Sequence, residues 1–310
     1  MGQQVWSVSS LGGYFTNNQL SKKVRNAAQP MMKFRQFVDP EPAIGRNRGD
    51  RVFFDKISNI STAGGTLSET STIPKRNFTI SQGTLVVTEY GNSIPFTLKV
   101  QTLSDISVPD NIKTVLRDDM AKVLDSAAAT IFTTTDYLAT IVNTASTEFK
   151  TNGTATTTAL GNMSDKNVRD IVDKMKTLNI PRYDGNNYIC IASTNSLRGL
   201  YDFFEPKATQ TSAKILASGE IGTYYGCRFV EETSFLSNVK GSSSIYGEAV
   251  FFGADAVREG IAIPEDIRID IPKDFGRDQG IAWYYLGGFA ETWDYSSDSE
   301  CRIIYVKSAA

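Results

Sequence analysis

SVPDNIKTVLRDDMAKVLDSAAATIF, residues 107–132, is the longest regular stretch of the chain. Within it Ile112, Val115, Leu116, Met120, Val123, Leu124, Ala127 and Ile131 recur at the spacing of an amphipathic helix. Lys113, Arg117, Asp118, Lys122 and Asp125 fall on the opposite face. Asp118 precedes Lys122 by one helical turn, the favourable order for an ion pair. Ser107 with Asp110 fits a capping box, and Pro109 is tolerated in a first turn. The rod would be roughly 37 Å long. With one apolar face it must lie across something broad, and Ile112, Leu116, Val123 and Ala127 are the expected centre of that face.

On the N-terminal side, residues 51–100 contain RVFFDKISNIS, KRNFTISQ, TLVVTEY and SIPFTLKV, short runs rich in Val, Ile, Phe and Thr. They read as strands. The intervening TAGGTLSETSTIP is polar and glycine-rich, so it is the expected tip of a long hairpin. A two-stranded arm is marginal alone in water and needs its edges and apolar face covered. Nothing nearby in sequence can cover them, which points to a neighbouring subunit. Residues 1–50 are aperiodic, with one short helix expected near Asn18–Ala28. Their anchors Trp6, Tyr14, Phe34 and Phe37 need a surface from elsewhere in the molecule or from another subunit.

On the C-terminal side, eleven threonines between Thr133 and Thr158 mark a β-leaning or loop segment. SDKNVRDIVDKMKTLNIP is a second helix capped by Ser164, with Val168, Ile171, Val172, Met175 and Leu178 as its stripe. NNYICIAS reads as a buried strand and TNSLRGLYDFF as a helix. EIGTYYGCRFVEET gives two strand pieces around Gly226, and GEAVFFGADAVREGI adds a buried strand. Across residues 160–265 this order suggests a mixed α/β lobe. IRIDIP, GIAWYYLGGFAETWDY and CRIIYVKSAA are long aromatic strands. They are the expected surface beneath the long helix, a sheet formed largely by Ile281–Val306.

Composition narrows the chemistry. The 310 residues contain no histidine, which removes Ser-His-Asp and Cys-His catalysis and histidine metal ligation. Cys190, Cys227 and Cys301 are widely spaced and read as buried free thiols. No phosphate-binding, dinucleotide, zinc-protease or hydrolase motif occurs. Asp118-Asp119 and Glu231-Glu232 are read as a solvated helix face and a strand end. No catalytic, cofactor-binding or metal site is nominated. Net charge is −2, giving no case for nucleic-acid recognition, but residues 1–51 hold eight basic side chains against three acidic ones. A basic arm on an acidic body suits charge-steered contact with another copy, and from charge alone it reads equally well as a solvated basic surface. No apolar run approaches a membrane span and no export signal is seen, so synthesis in a cytoplasm is expected.

The order of these parts resembles the major capsid proteins of tailed bacteriophages, the Hong Kong 97 fold, nearest the podophage type. The likeness rests on YGNSIPFTLKVQTLSD leading from hairpin to helix and on SDKNVRDIVDKMKTLNIP followed by YICIASTNSLRGLYDFF. GEIGTYYGCRFVEET and GEAVFFGADAVREG continue it, so that it runs from about residue 45 to the end. The resemblance implies an α+β fold in four parts. These are an N-terminal arm at 1–50, an extended β-hairpin loop at 51–100, a peripheral domain with its spine helix at 101–160 and 266–310, and an apical domain at 161–265. It implies a non-enzymatic shell protein forming hexamers and pentamers around double-stranded DNA, located in the virion and working with scaffolding, portal and cement proteins. The expected subunit-interface residues are Arg46, Arg48, Arg51, Lys56, Lys75, Arg76 and Phe78. Some family members weld loops through a Lys–Asn isopeptide bond, but no motif transfers that chemistry to Lys56 or Lys75. The competing expectations are an encapsulin-like compartment of the same fold, a surface-layer or adhesin protein suggested by the Thr- and Asn-rich composition, and a carboxylate enzyme.

Overall fold

The computed structural model describes residues 29–30, 32–41, 49–58, 64–70, 72–73, 75, 77–104, 107–155, 158–201, 222–236, 247–271 and 274–309. The short helix expected near Asn18–Ala28 lies outside them. After a 3-10 turn at Arg35–Phe37 come β1 (Asp39–Glu41), β2 (Arg51–Ile57), β3 (Ile80–Val86), β4 (Thr88–Thr97), α1 (Leu98–Leu103) and α2 (Val108–Thr133). Then follow β5 (Leu138–Asn143), β6 (Ser146–Lys150), α3 (Asp165–Thr177), β7 (Tyr188–Ser193) and α4 (residues 194–201). The chain continues through β8 (Thr223–Tyr224), β9 (Cys227–Glu232), β10 (Gly247–Phe252), β11 (Val257–Ile269), β12 (Asp278–Glu291), α5 (Tyr295–Asp298) and β13 (Ile303–Ser308). The strands make a four-stranded sheet β1-β11-β12-β4, a seven-stranded sheet β6-β5-β13-β10-β7-β9-β8, and the two-stranded β2-β3 arm.

Helix α2 joins the two larger sheets. Its first half sets Ile112, Leu116 and Leu124 against Ile281, Trp283 and Tyr285 of β12. Its second half turns Ala128, Ala129 and Phe132 toward Phe252, Ile303 and Tyr305 of the seven-stranded sheet. Ala127, Ala128 and Ala129 follow one another there, and their short side chains let helix and sheet approach closely. Phe34 and Phe37 close this second core from outside, with the Phe34 and Phe132 rings 5.5 Å apart. These two anchors of the N-terminal segment therefore find their surface within their own chain.

The expected surface beneath the helix needs correction. Ile281–Tyr285 supplies it under the first half of α2 and Ile303 and Tyr305 under the second, but these belong to two sheets: β13 pairs antiparallel with β10 and parallel with β5, inside the seven-stranded sheet. Ile303, Ile304, Tyr305 and Val306 are all buried, the pattern of a strand covered on both faces. Strands β5, β6 and β13 thus pair outside the 101–160 and 266–310 grouping, and β11 runs straight through the 265/266 boundary. On α2 itself Val115 is exposed while Asp125 is buried, because residues 34–37 pack along a flank assigned to solvent. Asp118 takes a hydrogen bond from Gln29 at 3.2 Å in place of the expected bridge to Lys122. Ser107 makes no cap; its hydroxyl donates to the Asp110 carboxylate at 2.6 Å. Leu98–Val100, expected as the end of a strand, opens the helix α1, started by Thr97, whose hydroxyl accepts the Val100 N–H at 3.4 Å.

The rest of the α/β region follows the sequence pattern closely. Ser164 and Asn167 form a reciprocal capping box at the start of α3, which buries Val168, Ile171, Val172 and Met175. Every residue of β7 is buried, and Gly226 turns β8 into β9 with φ of +76°. The three cysteines are free and buried. Among the described residues no helix is long and apolar enough to cross a membrane.

Candidate subunit interface

The β2-β3 arm carries the chain's most informative surface. Both strands alternate between inward-facing and exposed residues. Phe54, Lys56, Gly83 and Leu85 face the body. Gly83 is required there, since a Cβ would lie 2.2 Å from the Phe54 ring. Leu85 is buried beside Gly288 of β12, whose own position leaves no room for a side chain against the Val86 carbonyl. The opposite face mixes polar residues (Arg51, Asp55, Gln82, Thr84) with large exposed apolar ones: Phe53 is 58% exposed, Ile57 64%, Ile80 57% and Val86 50%. Four large apolar side chains exposed on one face of a two-stranded ribbon suit that face to burial as well. Among the described residues only the inner face has a cover. Leu67, Ile73 and Phe78 extend the exposed apolar surface toward the hairpin end.

The expected interface residues fare differently. Arg51, Lys75 and Phe78 are exposed. Arg46, Arg48 and Arg76 lie outside the described residues. Lys56 is the correction. Its side chain is buried and its ammonium pairs with Asp298 of α5, so it is committed within the subunit and is not offered to a neighbour. Of the four spine-helix residues, Ile112 and Leu116 are buried. Val123 and Ala127 are half-buried and line a cleft of about 660 Å³ with Thr84, Val86 and Tyr90, between the helix and the root of the arm.

Several polar contacts were not legible beforehand. Arg35 reaches Glu259 at 2.8 Å and Glu265 at 3.1 Å, and the Tyr285 hydroxyl donates to the same Glu259 at 2.8 Å. Burial opposes the Arg35 charge, but its hydrogen bonds to the two glutamates outweigh that and hold its pKa above the ordinary value. This cluster fastens the N-terminal segment to β11 and β12. Asp125 fastens it to α2 by accepting the Arg35 backbone N–H at 2.9 Å. Glu232, read as a solvated strand end, is instead buried and accepts the backbone N–H groups of Phe235 at 2.8 Å and Leu236 at 3.0 Å. Asp119 accepts the indole N–H of Trp283 at 2.9 Å, a structural bond between helix and sheet. Among the described residues no group of three or more Cys, Asp or Glu could hold a metal ion.

No protein-family model matches the sequence, and no curated protein does. The fold, however, is shared with solved structures. The capsid of Helicobacter pylori bacteriophage KHP30 is similar at a TM-score of 0.70 and 13% identity, covering 100% of this chain and 99% of that one. The capsid of Ralstonia phage GP4 matches at 0.68 and 14%, covering 99% and 98%. The capsid of the cyanophage P-SCSP1u matches at 0.69 and 11%, covering 96% and 94%. At such identities the shared property is the fold, and it extends over essentially the whole of each chain: the chain has a tailed-phage capsid fold.

Proposed function

We propose that this chain is the major capsid protein of a tailed phage, assembling with copies of itself into the icosahedral head shell that encloses the genomic DNA. The observation that carries the reading is the set of exposed apolar side chains on the outer face of the β2-β3 arm, which a neighbouring copy would cover. Heterologous contacts of this kind close into shells when the rotation between copies closes. Many modest contacts per subunit then act together. Hexamers and pentamers are the expected building units, and separate scaffolding, portal and cement proteins the expected partners. The role is structural, not catalytic, and its location is the virion. The four-part division is kept as part of this reading, with β5, β6 and β13 counted with the seven-stranded sheet. The phage reading is preferred to a cargo compartment of the same fold because the similar structures named above are phage capsids.

The test is expression of the full chain, alone and with a scaffolding protein encoded beside it, followed by sedimentation and negative-stain electron microscopy. Closed particles of uniform diameter are expected. Folded protein that stays monomeric at high concentration in both cases would overturn the proposal.

A further inference from the structure

The arm leaves the body through two attachments. The first is apolar: Leu85 buried beside Gly288, with Phe54 packed on the inner face and the Arg258 guanidinium 5.1 Å above its ring. The second is polar and lies further out. Lys56 of β2 and Ser81 of β3 are paired across the ribbon. Both reach a single carboxylate, Asp298. The Lys56 ammonium meets Oδ2, and the Ser81 hydroxyl donates to Oδ1 at 3.2 Å. Oδ2 also accepts the backbone N–H of Asp294 at 3.1 Å, which fixes the carboxylate to the short helix α5. The Lys56 Nζ sits 5.7 Å from the centre of the Trp293 ring, so the ammonium is enclosed from a second side. Ile57 and Ile80, the last paired rung of the ribbon, come immediately after.

From Leu85 to Ser81 the strand advances about 13 Å. One attachment would leave the ribbon free to pivot; two separated by that distance set its direction. We propose that Asp298 is the positioning residue of the arm: by holding both strands near the outer rung it fixes the angle at which the exposed hairpin leaves the body. Its loss frees the arm to pivot about Leu85 and Gly288 while both large sheets stay folded. Removing one partner of a buried ion pair leaves the other uncompensated, whereas replacing both with apolar groups relieves that penalty. The consequence for assembly rests on the shell reading; the consequence for arm direction does not. An arm that samples many angles presents its outer face correctly only part of the time, which weakens association without removing a contact.

The test uses the full chain with spin labels on cysteines introduced at Ser68, on the hairpin, and Asp173, on the exposed side of α3. The native cysteines are buried and should not take the label. Pulsed electron–electron distance measurements on unassembled subunits should give a narrow distribution for the parent protein and a clearly broader one for Asp298→Asn and for Lys56→Met. Near-ultraviolet dichroism of the body should be unchanged. Lys56→Met with Asp298→Leu should recover a narrower distribution than either single change. Where the parent assembles, the single variants should yield about tenfold fewer closed particles at equal concentration. If Asp298→Asn does not fold, Lys56→Met and Ser81→Ala carry the same measurement. An unchanged distance distribution in the folded variants overturns the assignment to Asp298. Failure of the parent protein to assemble overturns the shell reading instead, with the distance measurement still deciding the role of Asp298.

Discussion

Glu291, at the end of β12, is a carboxylic acid placed where an ion is costly. Burial pushes its pKa up to about 8; the Thr135 hydroxyl pulls it down, Asp294 and Asp136 raise it further, and Lys56 opposes them. The sign of the consequence follows from linkage. A carboxyl that holds its proton more tightly in the folded state stabilises that state fully below its unfolded value near 4.5, and the contribution is lost as pH rises through about 8. The slope across that window is up to about 1.4 kcal/mol per pH unit. Asp125 and Glu232 are also raised, chiefly by burial, and act in the same direction. Urea unfolding of the unassembled subunit should therefore show stability falling between about pH 5 and about pH 9. Glu291→Gln should flatten that dependence and make the variant the more stable of the two at the alkaline end. Equal stability of the parent protein at both ends of the range would refute this account. None of it was legible in the sequence. Glu291 stands in the run GGFAETWDY, where a strand pattern alone does not say whether the covering layer admits water.

At the scale of elements, α2 separates what periodicity can and cannot decide. Leu116 is fully buried against Ile281, Trp283 and Tyr285. Leu116→Asp would bury an unpaired charge and lose the packing, a cost of about 4–5 kcal/mol or more. That is comparable with the whole net stability of a domain, about 5–15 kcal/mol, so soluble, cooperatively folded subunits should not be recovered. Leu116→Met, which conserves volume, should cost less than about 1.5 kcal/mol. Val115 belongs to the same apolar stripe in the sequence but is exposed, and Val115→Asp should change subunit stability by no more than about 0.5 kcal/mol. Recovery of soluble subunit, with thermal melts of the variants that are recovered, tests which part of the stripe faces the sheet. The stripe, the second helix with its Ser164 cap and the wholly buried β7 were legible because local spacing determines them. The flank of α2 covered by Phe34 and Phe37 was not, since its partner lies some ninety residues earlier in the chain. The membership of β13 was missed for a related reason: a strand apolar on both faces does not announce which neighbours it pairs with.

At the scale of the whole molecule, the arm's two faces make opposite demands. The inner face is satisfied by the chain itself, through Phe54, Leu85 and the Lys56–Asp298 pair. The outer face exposes Phe53, Ile57, Ile80 and Val86 and, on the proposed reading, would be covered in an assembly. The sequence pointed to an arm needing a neighbour, yet it also assigned Lys56 to that neighbour, because the alternation of β2 reads identically whichever face is turned inward. Substitution can separate the two roles. Phe53→Asp, on the outer face, removes little packing within the subunit and should leave its melting temperature within a few degrees, as surface changes worth about 0.5 kcal/mol do. It places a charge where a neighbour would have to bury it, a penalty repeated at every contact of a closed shell. Phe54→Asp, one residue along, should instead destabilise the subunit by about 3 kcal/mol or more. Deleting residues 63–74 should behave like Phe53→Asp, giving folded subunits without shells. Sedimentation velocity paired with thermal melts reads all three. Normal shells from Phe53→Asp and from the deletion would move the principal contact away from the arm, and a Phe53→Asp subunit as unstable as Phe54→Asp would mean that the outer face is covered within the subunit after all.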